Sequence, residues 1–155
     1  MNTSRPQLTA DVDSAPAAGI QRPTATVVVT DADERILLLR RAPGGVLPGI
    51  WEIPGGGVDD GEGVEAAALR ELAEEAGLTD VELTDYVGYF DYTSARGKRT
   101  RQFVFTATAP AGQAVVVSDE HDRFCWAAAE DLPAVSNDER VLLARLAAAR
   151  AGRDG

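Results

Sequence analysis

Two short runs of β-branched and apolar residues open the patterned part of the chain, TATVVVT over 24–30 and RILLLRR over 35–41. The turn-forming DADE between them predicts that the two strands pair as a hairpin. A Gly/Pro loop, APGGVLPGI, leads into WEIP over 51–54, a short strand that runs into three glycines. Over 62–76 the apolar residues Val64, Ala68, Leu72 and Ala76 recur at spacing four, which predicts an amphipathic helix. Asp59, Asp60 and Gly61 supply its start signals and Gly77 its C-terminal stop. Long strands follow over 81–93 and 101–109, joined by the loop SARGKRT, with alternation of Phe103, Phe105 and Ala107 against Gln102, Val104 and Thr106. FCWAA over 124–128 is a further strand, and NDERVLLARLAAAR over 137–150 reads as a last helix capped by Asn137 or Asp138.

Strands on both sides of a central helix, followed by a terminal helix, predict an α/β (α+β) fold in which helices pack on a mixed central sheet. The regular βα alternation of a doubly wound fold is absent. Residues 23–150 form one domain on this reading. Residues 1–22, rich in Ala, Pro, Ser, Thr and Asp, read as a flexible N-terminal tail, and 151–155 as a short C-terminal one.

Charge narrows the partners. The 155 residues include 25 acidic and 15 basic side chains, for a formal net charge of −10. Such a chain is a poor general binder of nucleic acid or of an anionic membrane, and no run approaches the ~18 apolar residues of a membrane span. A phosphorylated small molecule remains a suitable partner where metal ions neutralise the contact. Cys125 is the only cysteine, so no intrachain disulfide forms, and with no secretory h-region at the N-terminus a cytoplasmic setting is expected.

The central helix poses the chemical question. At ~100° per residue, Glu75 lies about 40° to one side of Glu71 and Glu74 about 60° to the other, so the three carboxylates share an arc of roughly 100°. Glu75 falls on the edge of the apolar stripe and is expected to be partly buried. A buried carboxylate without a partner costs several kcal/mol. Arg70 projects from the helix roughly 100° away from Glu71, and no Lys or Arg stands at an offset that pairs all three. Either the face is simply solvated or a divalent cation neutralises it, and hard oxygen ligands at close spacing suit Mg²⁺ or Mn²⁺. The glycines at 55–57 favour the cation, because they let backbone groups approach a ligand beside the carboxylates.

The stretch resembles the box of the Nudix hydrolases, Gly-x5-Glu-x7-Arg-Glu-U-x-Glu-Glu-x-Gly-U with U a bulky aliphatic residue. Gly56, Glu62, Arg70, Glu71, Leu72, Glu74, Glu75, Gly77 and Leu78 fill every specified position, and looser similarity spans about 24–148. The resemblance implies a Nudix-type α/β/α sandwich and hydrolysis, by water, of a pyrophosphate bond in a nucleoside diphosphate linked to another moiety. It implies Mg²⁺ or Mn²⁺ bound by Glu71, Glu74 and Glu75, with the carbonyl of Gly55 or Gly56 completing the coordination. One of these glutamates, or Glu120 in EHDRFCW, would orient or deprotonate the water. Asp119 competes with Glu120 for the role of extra ligand or base. Glu62 and Arg70 would pair to brace the loop–helix turn.

Several residues carry two readings. Arg41, ahead of Arg40, either contacts the substrate's phosphate or base or is a strand-end surface charge. Arg96, Lys98, Arg99 and Arg101 form the one concentrated positive patch, reaching phosphates or decorating a solvated hairpin tip. Asn137 reads a base or, on the stronger reading, caps the last helix. Trp51, Tyr89, Phe90 and Tyr92 are core or stack on a base. His121 is expected at the surface and Cys125 as a buried thiol without a role. The leading substrate is a nucleoside triphosphate yielding monophosphate and pyrophosphate. ADP-ribose or another nucleotide sugar is the alternative, and a non-catalytic nucleotide sensor is the reading from a different class. Relatives of this kind often complete the pocket across a homodimer.

Overall fold

The computed structural model describes residues 5–154. In chain order the elements are α1 (Arg5–Ser14), β1 (Arg22–Thr30), β2 (Ile36–Arg41), β3 (Trp51–Glu52), β4 (Gly55–Gly57), α2 (Val64–Ala76), β5 (Leu83–Thr93), β6 (Arg99–Thr108), β7 (His121–Ala127) and α3 (Asn137–Asp154). The seven strands form one mixed sheet ordered β3-β2-β1-β6-β5, with β4 also paired to β1 and β7 to β2. Only the β1–β6 pairing is parallel.

Period-two alternation assigns the faces. Ala25, Val27, Val29, Leu37, Leu39, Phe103, Phe105 and Ala107 meet Val64, Ala67, Ala68, Leu72 and Ala76 of α2 on one side. Val28, Ile36, Leu38 and Val104 meet Leu142 and Leu143 of α3 on the other. β1 and β2 are apolar on both faces because both faces are covered. This is the α/β/α sandwich expected.

β1 and β2 pair antiparallel as expected, but the pairing is confined to Thr30↔Ile36. Beyond that point β1 pairs through Thr24–Thr26 with the glycine strand β4, and β2 pairs with β7 and β3. The strands diverge, and the gap admits a segment without side chains. At the connection, Asp31 accepts from the backbone amides of Asp33 and Arg35, and Glu34 takes a positive φ of 61°.

The two tails are a correction. Residues 5–14 form a helix whose Leu8 is buried in the α2-side core, and residues 151–154 continue α3. Residues 1–4 and 155 of the expected tails lie outside the described residues. α1 is held mainly by polar contacts. Asp11 accepts from Tyr86 Oη at 2.7 Å, and its carbonyl accepts from Arg101 Nη1 at 2.8 Å. The same nitrogen donates to Ser14 Oγ, while Arg101 grips Asp91 with Nε and Nη2 and stacks 3.9 Å over the Tyr89 ring. Composition hid this helix because one leucine and a buried polar knot, not an apolar stripe, dock it.

Arg101→Ala removes a buried cation and leaves Asp91, Ser14 and the Asp11 carbonyl without their donor. The expected cost is about 3 kcal/mol in urea denaturation. An unchanged midpoint would show that α1 is not fastened through this side chain.

Candidate active site

The gap between β1 and β2 opens into a cleft of about 820 Å³. Its floor is the α3-side face of β1, β6 and β5. Register pairs Thr24 with Gln102 and Gln102 with Phe90, and one row further Arg22 with Thr100 and Thr100 with Tyr92. Arg101 and Tyr89, one residue out of step, point to the opposite face and lie under α1. Arg101 is therefore not at the substrate cleft, contrary to expectation.

The glycines of β4 connect this floor to the carboxylates of α2. A Cβ on Gly56 would lie 2.5 Å from the Glu71 carboxyl carbon, and one on Gly55 would collide with the Ala25 carbonyl and Thr26. Only glycine lets the strand pass between β1 and the two carboxyl groups. Gly55 N–H donates to Glu75 Oε1 at 2.8 Å. Glu71, Glu75 and Glu120 all line the cleft.

The turn ahead of α2 is built around Arg70. Its Nε and Nη2 donate to the two oxygens of Glu62 at 2.8 and 2.9 Å, and Nη2 also donates to the Gly57 carbonyl. Glu62 in turn accepts from the Asp59 amide. The expected Glu62–Arg70 pair is thus present, and it delays the helix: α2 starts at Val64 after Gly63, which makes no side-chain cap. Arg70 Nη1 also reaches Glu71 at 2.9 Å and Glu74 at 3.3 Å. The angle between Cβ directions underestimated what a flexible guanidinium spans, although Glu75 receives no bond from it. Gly77 ends the helix at φ 70°, donating its N–H to Ala73 O.

Electrostatics separates these carboxyl groups. Burial pushes the Glu75 carboxyl well above the usual carboxylate range, and a hydrogen bond shared with Glu120 and the charges of Glu52 and Glu71 add to it against the Gly55 amide. Burial raises Glu71 too, opposed by Arg70. Glu62 falls to about 2, chiefly through its bonds to Arg70. Glu74 is the outlier of the expected trio, with its side chain 58% exposed and turned toward Arg70.

The remaining expected residues divide. Arg41 lines the cleft, donating to Glu52 Oε1 at 3.0 Å and to the Val46 carbonyl. Arg40 points away, forked onto Asp122 at 2.9 and 2.8 Å. Arg96 and Lys98 line the mouth, whereas Arg99 turns to Thr93. Trp51, Phe90 and Tyr92 line the cleft. Asn137 neither lines it nor caps α3. Ser136 is the cap, its Oγ accepting from the Glu139 amide at 3.2 Å, and Ser136, Asp138 and Glu139 are the cleft residues there. Cys125 is half-buried beside the α3-side core. His121, expected at the surface, is buried: β7 sets it opposite Arg41, and its Nε2 lies 2.9 Å from Glu52 Oε2.

Several cleft residues had no distinguishing local pattern: Arg22, Thr24, Glu52, Gln102 and Glu139. For Arg22, Thr24 and Gln102 the signal is register, since alternate positions of β1, β5 and β6 share the floor; Glu52 on β3 and Glu139 on α3 reach the cleft through tertiary packing alone. Thr24 Oγ1 is buried with no hydrogen-bond partner among the described residues. Glu139 is buried with Oε1 accepting from the Ile53 amide at 2.8 Å.

The donor set fits a divalent cation. The carboxylates that line the cleft (Glu52, Glu71, Glu75, Glu120, Asp138 and Glu139) outnumber the cations there, two glycines bring backbone against them, and a ring nitrogen of His121 lies within 4.8 Å of oxygens of Glu75 and Glu120. Oxygen-rich sites of this kind suit Mg²⁺ and Mn²⁺.

Comparison with known proteins agrees with this geometry. The NUDIX domain family model matches residues 20–146. An RNA pyrophosphohydrolase of Caulobacter vibrioides is 37% identical over 132 residues, covering 72% of this chain and 74% of its own. The nucleoside triphosphatase NudI of Escherichia coli is 33% identical over 122 residues, covering 73% and 79%. Among solved structures, a MutT NUDIX hydrolase from Burkholderia pseudomallei superposes with a TM-score of 0.66 at 33% identity, covering 79% of this chain and 95% of that one. The chain belongs to the Nudix family and is a hydrolase of that family.

Glu139 supplies a pH test independent of the box. Burial raises its carboxyl from the ordinary 4.5 to about 7. A folded-state value above the unfolded one favours folding fully below about 4.5, and that contribution is lost as pH rises through about 7. Glu139→Gln keeps an acceptor for Ile53 and removes the ionisation. In EDTA at pH 8 the variant should exceed the parent by on the order of 2 kcal/mol, with the gap closing toward pH 5. Parallel stability–pH curves would contradict the assignment.

Proposed function

We propose that the chain is a Mg²⁺- or Mn²⁺-dependent pyrophosphohydrolase whose substrate is a nucleoside triphosphate, cleaved by water to the monophosphate and pyrophosphate. The observation that carries this reading is the bipolar cleft. The carboxylates of buried Glu75, half-buried Glu71 and exposed Glu120 stand at one end, and Arg22, Arg96 and Lys98 line the same cavity. None of these three basic side chains makes an ion pair among the described residues. A polyphosphate spanning the two ends meets cations along its length.

Glu71, Glu74, Glu75 and Glu120, with the carbonyl of Gly55 or Gly56, would hold the divalent ions. Bound there, such ions supply Lewis-acid stabilisation of phosphate charge and acidify bound water. The protein's own groups do the rest. Arg41, Arg22, Arg96 and Lys98 orient the phosphates, which supplies positioning. Phe90, Tyr92 and Trp51 offer apolar walls for the nucleoside, and Thr24 Oγ1 and Gln102 a polar floor. The Glu75–Glu120 pair is the proton acceptor nearest the cluster. A general base of this kind contributes ~10²–10⁴ in rate. Water attacks phosphorus, the P–O bond to the pyrophosphate breaks, and the proton passes to the carboxylate pair.

The relative named an RNA pyrophosphohydrolase favours one further substrate form, a 5′-triphosphate on an oligonucleotide, which offers the same polyphosphate to the same cleft. The net charge of −10 opposes a long RNA track, so contact would be limited to the 5′ end.

A panel of nucleoside triphosphates, nucleotide sugars and a 5′-triphosphorylated oligonucleotide, run in ¹⁸O-water with products read by phosphorus NMR, tests the reading. Monophosphate and pyrophosphate from free nucleotides are expected, and turnover of nucleotide sugars alone would overturn it. At saturating Mg²⁺, Glu74→Gln or Glu75→Gln should each lower kcat by ~10² or more with the fold intact; near-normal turnover would remove that side chain from the ligand set. Millimolar Mg²⁺ should also raise the melting temperature by binding the native state preferentially, and a flat response would count against a preformed site.

A further inference from the structure

His121 is the chain's only histidine. Its side chain is 1% exposed. Nε2 lies 2.9 Å from Glu52 Oε2, and Glu52 Oε1 accepts from Arg41 Nε at 3.0 Å. A carboxylate paired with a guanidinium only accepts, so the ring hydrogen resides on Nε2. In the neutral ring this leaves a lone pair on Nδ1. That atom is buried and has no hydrogen-bond partner among the described residues. A buried polar atom left unpaired is costly. The groups clustered with the ring are the carboxyls of Glu75 and Glu120, within 4.8 Å of a ring nitrogen and of one another. When ionised, both are acceptors and cannot satisfy a lone pair.

What satisfies two carboxylates and an imidazole lone pair together is a cation. The outer shell agrees with that answer. Metal-bound histidines usually give their other N–H to a carboxylate, which fixes the tautomer and strengthens the free nitrogen as a ligand. Glu52 occupies that position here and is itself held by Arg41.

We infer that His121 is a metal ligand through Nδ1, giving the cleft a mixed nitrogen–oxygen position formed with Glu75 and Glu120. This rests on the reading that the cleft holds divalent ions, and it makes the ring a direct ligand beside the carboxylates and glycine carbonyls. The nitrogen has a consequence for metal choice. Imidazole favours Co²⁺, Ni²⁺ and Zn²⁺ over Mg²⁺, which prefers an all-oxygen shell. This position should therefore take a transition-metal ion more tightly than an all-carboxylate site would, with Arg41 and Glu52 tuning it from behind.

The single histidine makes the test direct. Full-length protein carrying ¹⁵N only in histidine is titrated with Mn²⁺, and pulsed EPR is recorded on the bound ion. A ¹⁵N hyperfine coupling from a directly bound imidazole is expected. Bound Mn²⁺ without that coupling, including a ring separated from the ion by water, would overturn the inference while leaving the metal-dependent reading in place. A protein that binds no Mn²⁺ would overturn both. In parallel, His121→Gln retains a side-chain donor for Glu52 and loses the nitrogen ligand. Calorimetry should show Co²⁺ affinity reduced ~10-fold and Mg²⁺ affinity by less than about threefold. Equal losses for the two ions would make His121 a packing residue alone.

Discussion

One guanidinium holds the site in shape. Arg70 binds both oxygens of Glu62, the Gly57 carbonyl, Glu71 and Glu74. It ties the glycine strand, the turn and the helix into one unit. Guanidinium suits this task because its five donors lie in a fixed plane and its charge is permanent. The bidentate grip on Glu62 is the strong contact; the bond to Glu74 is long and exposed. Without Arg70 the turn would lose its anchor to α2, and the carboxylates would lose the one cation that reaches two of them. The remaining deficit falls on Glu75, which faces Glu52, Glu71 and Glu120 with only a backbone amide in return. That imbalance sets the chemistry of the cleft.

The same economy governs the sheet. β1 and β2 part after Thr30↔Ile36 because each finds better partners beyond it. The gap they leave is filled by three glycines, of which Gly55, against Ala25 and Thr26, and Gly56, against the Glu71 carboxyl, have no room for a side chain. The carboxylates of a helix packed against one face thereby reach a cleft floored by the other face. A fully formed β1–β2 hairpin would seal that passage. The fold's departure from simple strand pairing is what creates the site.

How much of this was legible in the residues follows from the range of each interaction. The helix, its glycine stop and the clustering of Glu71, Glu74 and Glu75 are set within four residues of one another, and periodicity reveals them. The Glu62–Arg70 pair spans two turns of chain and was legible through the resemblance. Other features depend on long-range register. Arg101 belongs to a basic run that looks like a phosphate grip, yet strand parity places it beneath α1 with Tyr86 and Asp91. His121 sits in a polar stretch, EHDR, that reads as surface, but pairing with Arg41 turns it onto Glu52. Asn137 is a good cap by type, and Ser136, one residue earlier, takes the position. Glu139 was unremarkable in sequence because its burial depends on Ile53, 86 residues away.

These long-range placements share a direction. Arg41, Glu52 and His121 come from β2, β3 and β7, three neighbouring strands at the β2 end of the sheet, and they join by hydrogen bonds of 3.0 and 2.9 Å. A ring nitrogen of His121 then lies within 4.8 Å of oxygens of Glu75 and Glu120. Arg70 braces the carboxylate cluster through the turn and α2, and Arg41 and Glu52 fix the ring of His121 beside it. Arg70 neutralises charge, and Glu52 orients a ring whose Nδ1 has no hydrogen-bond partner among the described residues. The bonds of Arg70 to Glu71 and Glu74 and of the Gly55 amide to Glu75 limit how far the carboxylates can separate under mutual repulsion. A site held this way before any ligand arrives requires little reorganisation when a polyanion and its counter-charges enter, and preorganisation of that kind is where electrostatic catalysis gains most.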